Sequence, residues 1–165
     1  TKAQRHKGRT KARFKVDWEQ KMTTSADHSE QYIRYHDAAA KERANDLSNE
    51  VIGAAIEVHK RLGPGLLESA YEECLCCELG LRGIEFKRQV PLPVIYKGQK
   101  LDCGYRLDML VEDLVIIEMK AIDDIAPIHE AQLLTYLRLR DSWLGLIINF
   151  NVLLLKDGIR RLVNG

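Results

Sequence analysis

The sequence lacks the features that would place the protein in a membrane or among disulfide-rich secreted proteins. None of its apolar runs approaches the roughly 20 residues that a membrane-spanning helix needs, and its first residues are basic and polar, without the apolar core of a secretory signal. Three of the four cysteines, Cys74, Cys76 and Cys77, crowd into one short helical stretch, where disulfide geometry is poor. Their C-x-x-C has no second pair at zinc-ribbon spacing. We therefore expect a cytoplasmic protein with reduced thiols and no membrane partner.

A large net charge is also missing, but the charge balance differs between two parts of the chain. The formal charge is +1; residues 1–45 contain 11 Lys and Arg against 6 Asp and Glu, whereas residues 46–165 contain 14 against 18. The start, TKAQRHKGRTKARFK, has almost nothing to bury, which predicts a basic, flexible extension over residues 1–46 and a folded domain over residues 47–165. A solvated tail is the simpler interpretation of the extension, and a segment that lies along a phosphate backbone is the alternative.

The hydrophobic period changes along the folded part. Helical spacing in NDLSNEVIGAAIEVHKRL, with Asp46 or a serine as candidate cap, ends at Gly63-Pro64-Gly65, and LLESAYEECLCCELGLRG forms a second helix. Three antiparallel strands follow up to residue 121, and Pro91 and Pro93 confine the first of them to a sheet edge or a bulge. A crossover helix in APIHEAQLLTYLRLRD then leads to two apolar strands. This order predicts an α/β (α+β) fold, with a central mixed sheet of about five strands flanked by helices.

Three charged residues interrupt the apolar strands in YRLDMLVEDLVIIEMKA. Glu118 and Lys120 share one face of their strand, because side chains alternate. If the hairpin turns through three residues, 112–114, Asp108 lies opposite Glu118 on the same face. A two-residue turn would put the two acids on opposite faces unless a bulge intervenes. The three-residue register is the testable prediction.

Two carboxylates placed so closely in a sheet need a compensating charge. At about 4 Å they repel by something like 4 kcal/mol at an effective dielectric near 20, and burial adds a desolvation cost. Lys120 offsets part of this repulsion, and a divalent cation that prefers oxygen ligands, such as Mg²⁺ or Mn²⁺, would offset more. The alternative is a buried ion pair between Lys120 and one acid, with the other acid at a solvent edge.

Asp108, followed after nine residues by Glu118-Met119-Lys120, resembles the PD-(D/E)xK nuclease signature. The stretch GLLESAY, from Gly65 to Tyr71, resembles the pattern that names the GxxExxY protein family, a PD-(D/E)xK-like group. The resemblance covers roughly residues 47–165 and implies a restriction-endonuclease-like core. It also implies a Mg²⁺-dependent nuclease that hydrolyses phosphodiester bonds with a metal-activated water.

The resemblance further implies roles for individual residues of this sequence. Asp108, Glu118 and the backbone carbonyl of Met119 would bind the metal, with Glu68 as an additional direct or water-mediated ligand. Lys120 would orient the attacking water and offset charge in the transition state. Gln132 would position phosphate or the lysine. Tyr136, one turn later, and Tyr71 are supporting candidates, and packing is the simpler interpretation of Tyr71.

Nucleic acid, DNA in the first place, is the expected partner. Five basic residues on the first strands and their hairpin would contact its backbone: Lys87, Arg88, Lys97, Lys100 and Arg106. The alternative is a binding or assembly module that keeps a nuclease-like fold without catalysis. An exposed strand edge or the Leu-rich last strands would suit a homodimer.

Overall fold

The computed structural model describes residues 37–165. The elements in chain order are α1 (Ala38–Leu62), α2 (Glu68–Leu81), β1 (Phe86–Pro91), β2 (Val94–Tyr96), β3 (Gln99–Leu101), β4 (Arg106–Val111), β5 (Val115–Lys120), α3 (Pro127–Arg140), β6 (Leu144–Asn149), a 3₁₀ helix (Leu155–Gly158) and β7 (Ile159–Val163). Most of the predicted basic extension, residues 1–36, lies outside the described residues.

The described part of the chain folds around a mixed sheet of five strands in the order β1-β4-β5-β6-β7. β1, β4 and β5 run antiparallel to one another, α3 crosses over, and β6 returns parallel to β5 before β7 pairs antiparallel with β6. This arrangement confirms the predicted α/β (α+β) fold. The order of its elements is that of the predicted restriction-endonuclease-like core, and β1 is the edge strand that its prolines predicted.

Helices cover both faces of this sheet and create two apolar cores. α1 and α2 pack on one face, where Val51 and Leu75 meet Ile117 and Met119 of the central strand. α3 covers the other face through Leu133 and Leu137, which pack with Ile116 and Ile147. Gly145 makes the close approach of α3 possible, since a Cβ there would stand 2.8 Å from a methyl carbon of Leu133. The sheet is therefore a middle layer between two helical layers.

The first helix begins earlier than its candidate caps predicted. It begins at Ala38, and Asp37 caps it by accepting a hydrogen bond from the amide of Ala40 at 2.7 Å. Asp46 lies inside the helix instead. Alanine-rich sequence favours helix at residues 38–40, and Ala44 is already buried against the sheet. The extra turns are therefore stabilised by both propensity and packing.

The sequence predicted three antiparallel strands up to residue 121, but the two strands that flank the turn at residues 97–98 do not belong to the main sheet. β2 and β3 form a separate two-stranded sheet, here called the β2–β3 ribbon (residues 94–101), which turns at Lys97-Gly98 with positive φ at both residues. The chain leaves the main sheet at Pro91, which has no amide to donate. It returns at Arg106, the partner of Pro91 across the sheet.

Neither a membrane-spanning helix nor a disulfide occurs among residues 37–165. No helix there combines the length and the apolar character needed to cross a bilayer. The four cysteines are unpaired, and burial raises the pKa of the Cys76 thiol to about 11. That thiol is therefore protonated and weakly nucleophilic at neutral pH.

Candidate active site

The turn between β4 and β5 brings Asp108 and Glu118 together. Val111 pairs with Val115 and Met109 with Ile117, so residues 112–114 form the turn and Asp108 comes opposite Glu118. The amide of Leu114 donates to the carbonyl of Val111 at 2.9 Å, which closes the turn. The predicted three-residue register is confirmed.

The carboxylate of Asp108 interrupts the backbone pairing of the two strands. Regular pairing of β4 with β5 extends from Val111 to Met109 and stops before Asp108. There the amide of Met119 donates to Oδ2 of Asp108 at 2.9 Å instead, and the amide of Asp108 faces Oε1 of Glu118 at 3.5 Å. Both acidic side chains are thus held by backbone groups at the place where the ladder would otherwise continue.

The two acids share one nearby ammonium group. Glu118 is 4 % exposed, and its Oε2 lies 3.5 Å from Nζ of Lys120. Burial raises the pKa of Glu118 to about 7, and the charge of Asp108 adds to this rise while Lys120 opposes it. Burial also raises the pKa of Asp108, whereas the hydrogen bond from the amide of Met119 and the charge of Lys120 lower it. When both acids are ionised, the site carries excess negative charge.

The burial of Glu118, together with the charge of Asp108, predicts that the metal-free protein loses stability as the pH rises from about 5 to about 8. The folded pKa of Glu118 lies above its ordinary value of 4.5, so the folded state binds more protons than the unfolded state in this window, and the free energy of unfolding falls with rising pH. The full effect is on the order of 3 kcal/mol. Urea unfolding in EDTA at several pH values measures it. Glu118→Gln should flatten the profile; a wild-type curve parallel to that of the variant would contradict the prediction.

Glu68 reaches the same region from the first residue of α2. Its Oε1 accepts a hydrogen bond at 3.3 Å from the amide of Ala121, the residue after Lys120. Its charge contributes to the raised pKa of Asp108. Glu72, one turn further along α2, acts on Asp108 in the same way; it was not among the residues predicted from the sequence, although its i,i+4 spacing from Glu68 could have revealed it. One face of α2 therefore adds negative charge to the site.

The residues around Glu68 hold the start of α2 in place. The hydroxyl of Tyr71 donates to the carbonyl of Gly63 at 2.6 Å and accepts from the amide of Leu66 at 3.2 Å. Its ring is fully buried and stacks on Phe150 at 4.4 Å between ring centroids. Gly65 has a φ of 105°, which favours glycine. Tyr71 thus packs, as the simpler interpretation predicted, and its hydroxyl ties down the loop that precedes Glu68.

Gln132 and Tyr136 approach the acids from α3, on the other face of the sheet. Nε2 of Gln132 donates to the hydroxyl of Tyr136 at 2.6 Å. Burial raises the pKa of Tyr136, and the charges of Glu118, Lys120 and Asp108 also act on this phenol. Tyr136 packs in the same core as Leu107 of β4 and Ile116 of β5, and Gln132 lies beside its hydroxyl.

Asn149 is a site residue that the sequence did not reveal. It ends β6 beside Lys120 and is 1 % exposed. Its Oδ1 accepts from the amides of Ile122 and Asn151 at 3.1 and 3.2 Å, and its Nδ2 donates to the carbonyl of Ile122 at 2.8 Å. In the sequence, an asparagine at the end of an apolar strand indicates a site residue only weakly. Asn149 fixes the backbone just after Lys120.

The five predicted backbone-binding residues have different environments. Lys87 pairs with Asp113 at 2.7 Å, at the turn end of the hairpin, and Arg88 pairs with Glu72 and Glu73 on α2. Arg106 donates to the carbonyl of Gln89 at 3.3 Å. The other two, Lys97 and Lys100, are exposed on the β2–β3 ribbon. Contact of these five residues with a nucleic-acid backbone stays a prediction.

The donor set at the strand ends suits a hard divalent cation. Within residues 37–165 no three His, Cys, Asp or Glu side chains form a complete metal-binding group, and Glu68 is bound to the amide of Ala121. Mg²⁺, however, is commonly held by one or two carboxylates, with water and substrate phosphate as its other ligands. Asp108 and Glu118 offer one half-buried and one buried carboxylate, whose negative charge Lys120 offsets only in part. These residues therefore fit Mg²⁺ or Mn²⁺.

Comparison with known proteins agrees with this geometry. A family model described as the PD-(D/E)XK nuclease superfamily matches residues 45–162, which is more than half of the chain and includes both strands of the site. No curated protein matches the chain, and no solved structure does. The extent of the family match, on a domain whose acids and lysine meet at the ends of two strands, shows that the chain belongs to the PD-(D/E)XK nuclease superfamily.

Proposed function

We propose that the protein is a Mg²⁺- or Mn²⁺-dependent nuclease that hydrolyses phosphodiester bonds of nucleic acid, DNA in the first place. The observation that carries the proposal is the meeting of the buried carboxylate of Glu118 and the half-buried carboxylate of Asp108 beside the ammonium of Lys120. Two acids with raised pKa values are poorly satisfied by one lysine, and a divalent cation would complete their neutralisation. Membership of the superfamily supports the same chemistry.

The chain's own residues would divide the work of hydrolysis. Asp108 and Glu118 would hold the cation, with the backbone carbonyl of Met119 as a further oxygen ligand. A bound cation supplies a water of lowered pKa and neutralises phosphate oxygens. The ammonium of Lys120 would orient the attacking water and stabilise the negative charge that develops on the phosphate.

Three side chains outside the hairpin would support this arrangement. Glu68, held 3.3 Å from the amide of Ala121, would contribute a direct or water-mediated contact to the cation. Gln132 would position phosphate or Lys120, and its hydrogen bond to the hydroxyl of Tyr136 would orient its amide. Because Gln132 and Tyr136 come from α3 and Glu68 from α2, both helical layers would contribute to one site.

We also propose the narrower assignment to the GxxExxY family. Three features of the stretch from Gly65 to Tyr71 support it, because each residue that defines the pattern has its own structural role. Gly65 adopts a positive φ, Glu68 bonds the chain beside Lys120, and Tyr71 closes the loop with two hydrogen bonds. The pattern would thus encode the loop and helix start that place the carboxylate of Glu68 at the site.

A cytoplasmic location and a homodimer belong to the same proposal. β1 and β7 are the outer strands of the described sheet, and an outer strand offers unpaired backbone groups to a second subunit. The basic residues of the extension, which outnumber its acids, support a polyanionic partner such as DNA.

Binding of Mn²⁺ or Mg²⁺ should stabilise the folded protein. At about 100 times its dissociation constant, a ligand that binds only the folded state adds roughly 2.7 kcal/mol to the free energy of unfolding. Thermal unfolding with and without each metal measures this effect. Asp108→Asn and Glu118→Gln should abolish the metal-dependent rise in Tm, because each variant removes one anionic ligand. Asp157→Asn, at an exposed acid of the 3₁₀ helix, is the matched control and should keep the rise.

The outcome separates catalysis from the alternative of a non-catalytic module. The acids form no cation site if neither metal stabilises the wild type and if, without metal, Asp108→Asn and Glu118→Gln are more stable than the wild type. The ion pairs of Lys87 and Arg88 favour that alternative in one respect, because paired side chains are less available to phosphates. A metal response that all variants share would place the cation elsewhere.

A further inference from the structure

The β2–β3 ribbon exposes an unusual share of aromatic and aliphatic surface. Tyr96 is 60 % exposed and Ile95 56 %, and Tyr105, just after the ribbon, is 48 % exposed. Only eight residues form the ribbon's strands and turn, and they project from the main sheet between Pro91 and Arg106. One aromatic ring and one isoleucine left in solvent on such a small element, with a second exposed ring just after it, point to a binding surface.

The ribbon also carries positive charge that no acid of the described residues neutralises in an ion pair. Residues 92–101 contain Lys97 and Lys100 and no acid, whereas the described residues 37–165 as a whole contain 16 Lys and Arg against 20 Asp and Glu. Within the described part of the chain neither lysine forms an ion pair, and Nζ of Lys97 lies 5.4 Å from the ring centroid of Tyr96. Flat rings beside unpaired ammonium groups suit a ligand that has both aromatic faces and negative charge.

The base of the ribbon is anchored beside the candidate active site. The amide of Leu92 donates to the carbonyl of Tyr105 at 2.8 Å, and Tyr105 precedes Asp108 by three residues. The ring of Tyr105 lies 6.2 Å from that of Tyr136, the phenol on which the charges of Glu118, Lys120 and Asp108 act. The buried ring of Tyr136 and the exposed ring of Tyr105 thus connect the region of the acids to the base of the ribbon.

We propose that the ribbon binds single-stranded nucleic acid and directs it into the site. Tyr96 and Tyr105 stack on unpaired bases, and Lys97 and Lys100 contact the phosphates. Single strands are favoured over duplexes because a duplex covers its base faces by internal stacking, whereas every unpaired base offers a face to an exposed ring. The inference rests on the proposed nuclease function, whose substrate class it names.

The test is binding without cleavage. Fluorescence anisotropy in EDTA compares a labelled oligonucleotide of about 20 nucleotides as single-stranded DNA, as single-stranded RNA and as a DNA duplex. Tyr96→Ala and Tyr105→Ala should each weaken single-strand binding about 5- to 100-fold, while Tyr96→Phe and Tyr105→Phe stay within about twofold of the wild type because they keep the ring. Replacing both lysines by serine should lower the salt dependence by about 1.4 logarithmic slope units.

Leu153→Ala is the control for loss of exposed apolar surface, since Leu153 is 88 % exposed outside the ribbon. Every variant keeps residues 1–36, so nonspecific binding by the basic segment is the same in all of them. Tighter binding to the duplex than to the single strands, unchanged affinity in both alanine variants, or no binding of either single strand would each overturn the proposal. The DNA and RNA samples show which backbone chemistry the ribbon accepts.

Failure of this inference is distinguishable from failure of the nuclease proposal. In one case the variants change single-strand binding as expected, but Asp108 and Glu118 bind no metal and no cleavage occurs. The ribbon is then a binding element, and the nuclease proposal is rejected. In the other case the protein cleaves single strands with metal, and Tyr96→Ala and Tyr105→Ala leave this cleavage unchanged. The nuclease proposal then stands, and the role of the ribbon is rejected.

Discussion

Replacing Lys120 with methionine should reduce phosphodiester cleavage by about 100- to 1,000-fold. Lys120 provides the ammonium group that contacts Glu118 at the ends of β4 and β5, so its loss removes the positive charge that the chain itself aims at the reacting phosphate. Methionine has a similar length and no charge, and the aliphatic stem of Lys120 already lies largely buried. The single-turnover cleavage rate of a labelled oligonucleotide in Mg²⁺ or Mn²⁺ measures the effect.

Lys156→Met, at an exposed lysine of the 3₁₀ helix, is the matched control and should cleave at the wild-type rate. Lys120→Met should keep its metal-dependent rise in Tm, because Asp108 and Glu118 remain. Cleavage by Lys120→Met within tenfold of the wild-type rate would contradict the role assigned to the lysine. Parallel loss of activity in Lys156→Met would show that the assay responds to net charge.

Tyr71→Ala should lower the free energy of unfolding by about 3–5 kcal/mol. The tyrosine ring is fully buried against Phe150, and its hydroxyl bonds Gly63 and Leu66. Removing the side chain leaves a cavity between α2 and the sheet, together with an unpaired carbonyl and amide in the loop. Tyr71→Phe keeps the ring and should lose about 1–2 kcal/mol, since only the hydrogen bonds disappear.

Urea unfolding of the three proteins, followed by far-UV circular dichroism, gives the two differences directly. Near-equal losses in the phenylalanine and alanine variants would mean that the hydroxyl carries the stability and that the stacking on Phe150 contributes little. A loss below about 1 kcal/mol in Tyr71→Ala would contradict the packing role.

The features predicted correctly from the sequence depend on local periodicity. Alternation along the strands placed Glu118 and Lys120 on one face, and the length of the turn then decided that Asp108 joins them. The order of helices and strands, the edge position of β1 and the crossover by α3 followed from the same patterns. These features are encoded by neighbours in the chain, so one sequence suffices to read them.

The features that the sequence did not reveal depend on contacts between distant segments. Asn149 bonds the backbone at Ile122, 27 residues away, and Lys87 pairs with Asp113, 26 residues away. No periodic pattern encodes such partners. The separation of the β2–β3 ribbon from the main sheet likewise follows from the pairing of Pro91 with Arg106, which becomes visible only when both strands are in place.

The turn at residues 112–114 has a consequence for how the gene can change. Glu112 is held by two hydrogen bonds from Arg43 of α1, and Asp113 by ion pairs with side chains from other elements. Partly exposed ion pairs of this kind contribute only about 0–1 kcal/mol each, so many substitutions at the surface of this turn would be tolerated in descendants of the gene. An insertion or deletion of one codon would not be, because it would separate Asp108 from Glu118 at the far end of the hairpin. Selection would therefore conserve the number of residues in this turn more strictly than their identity.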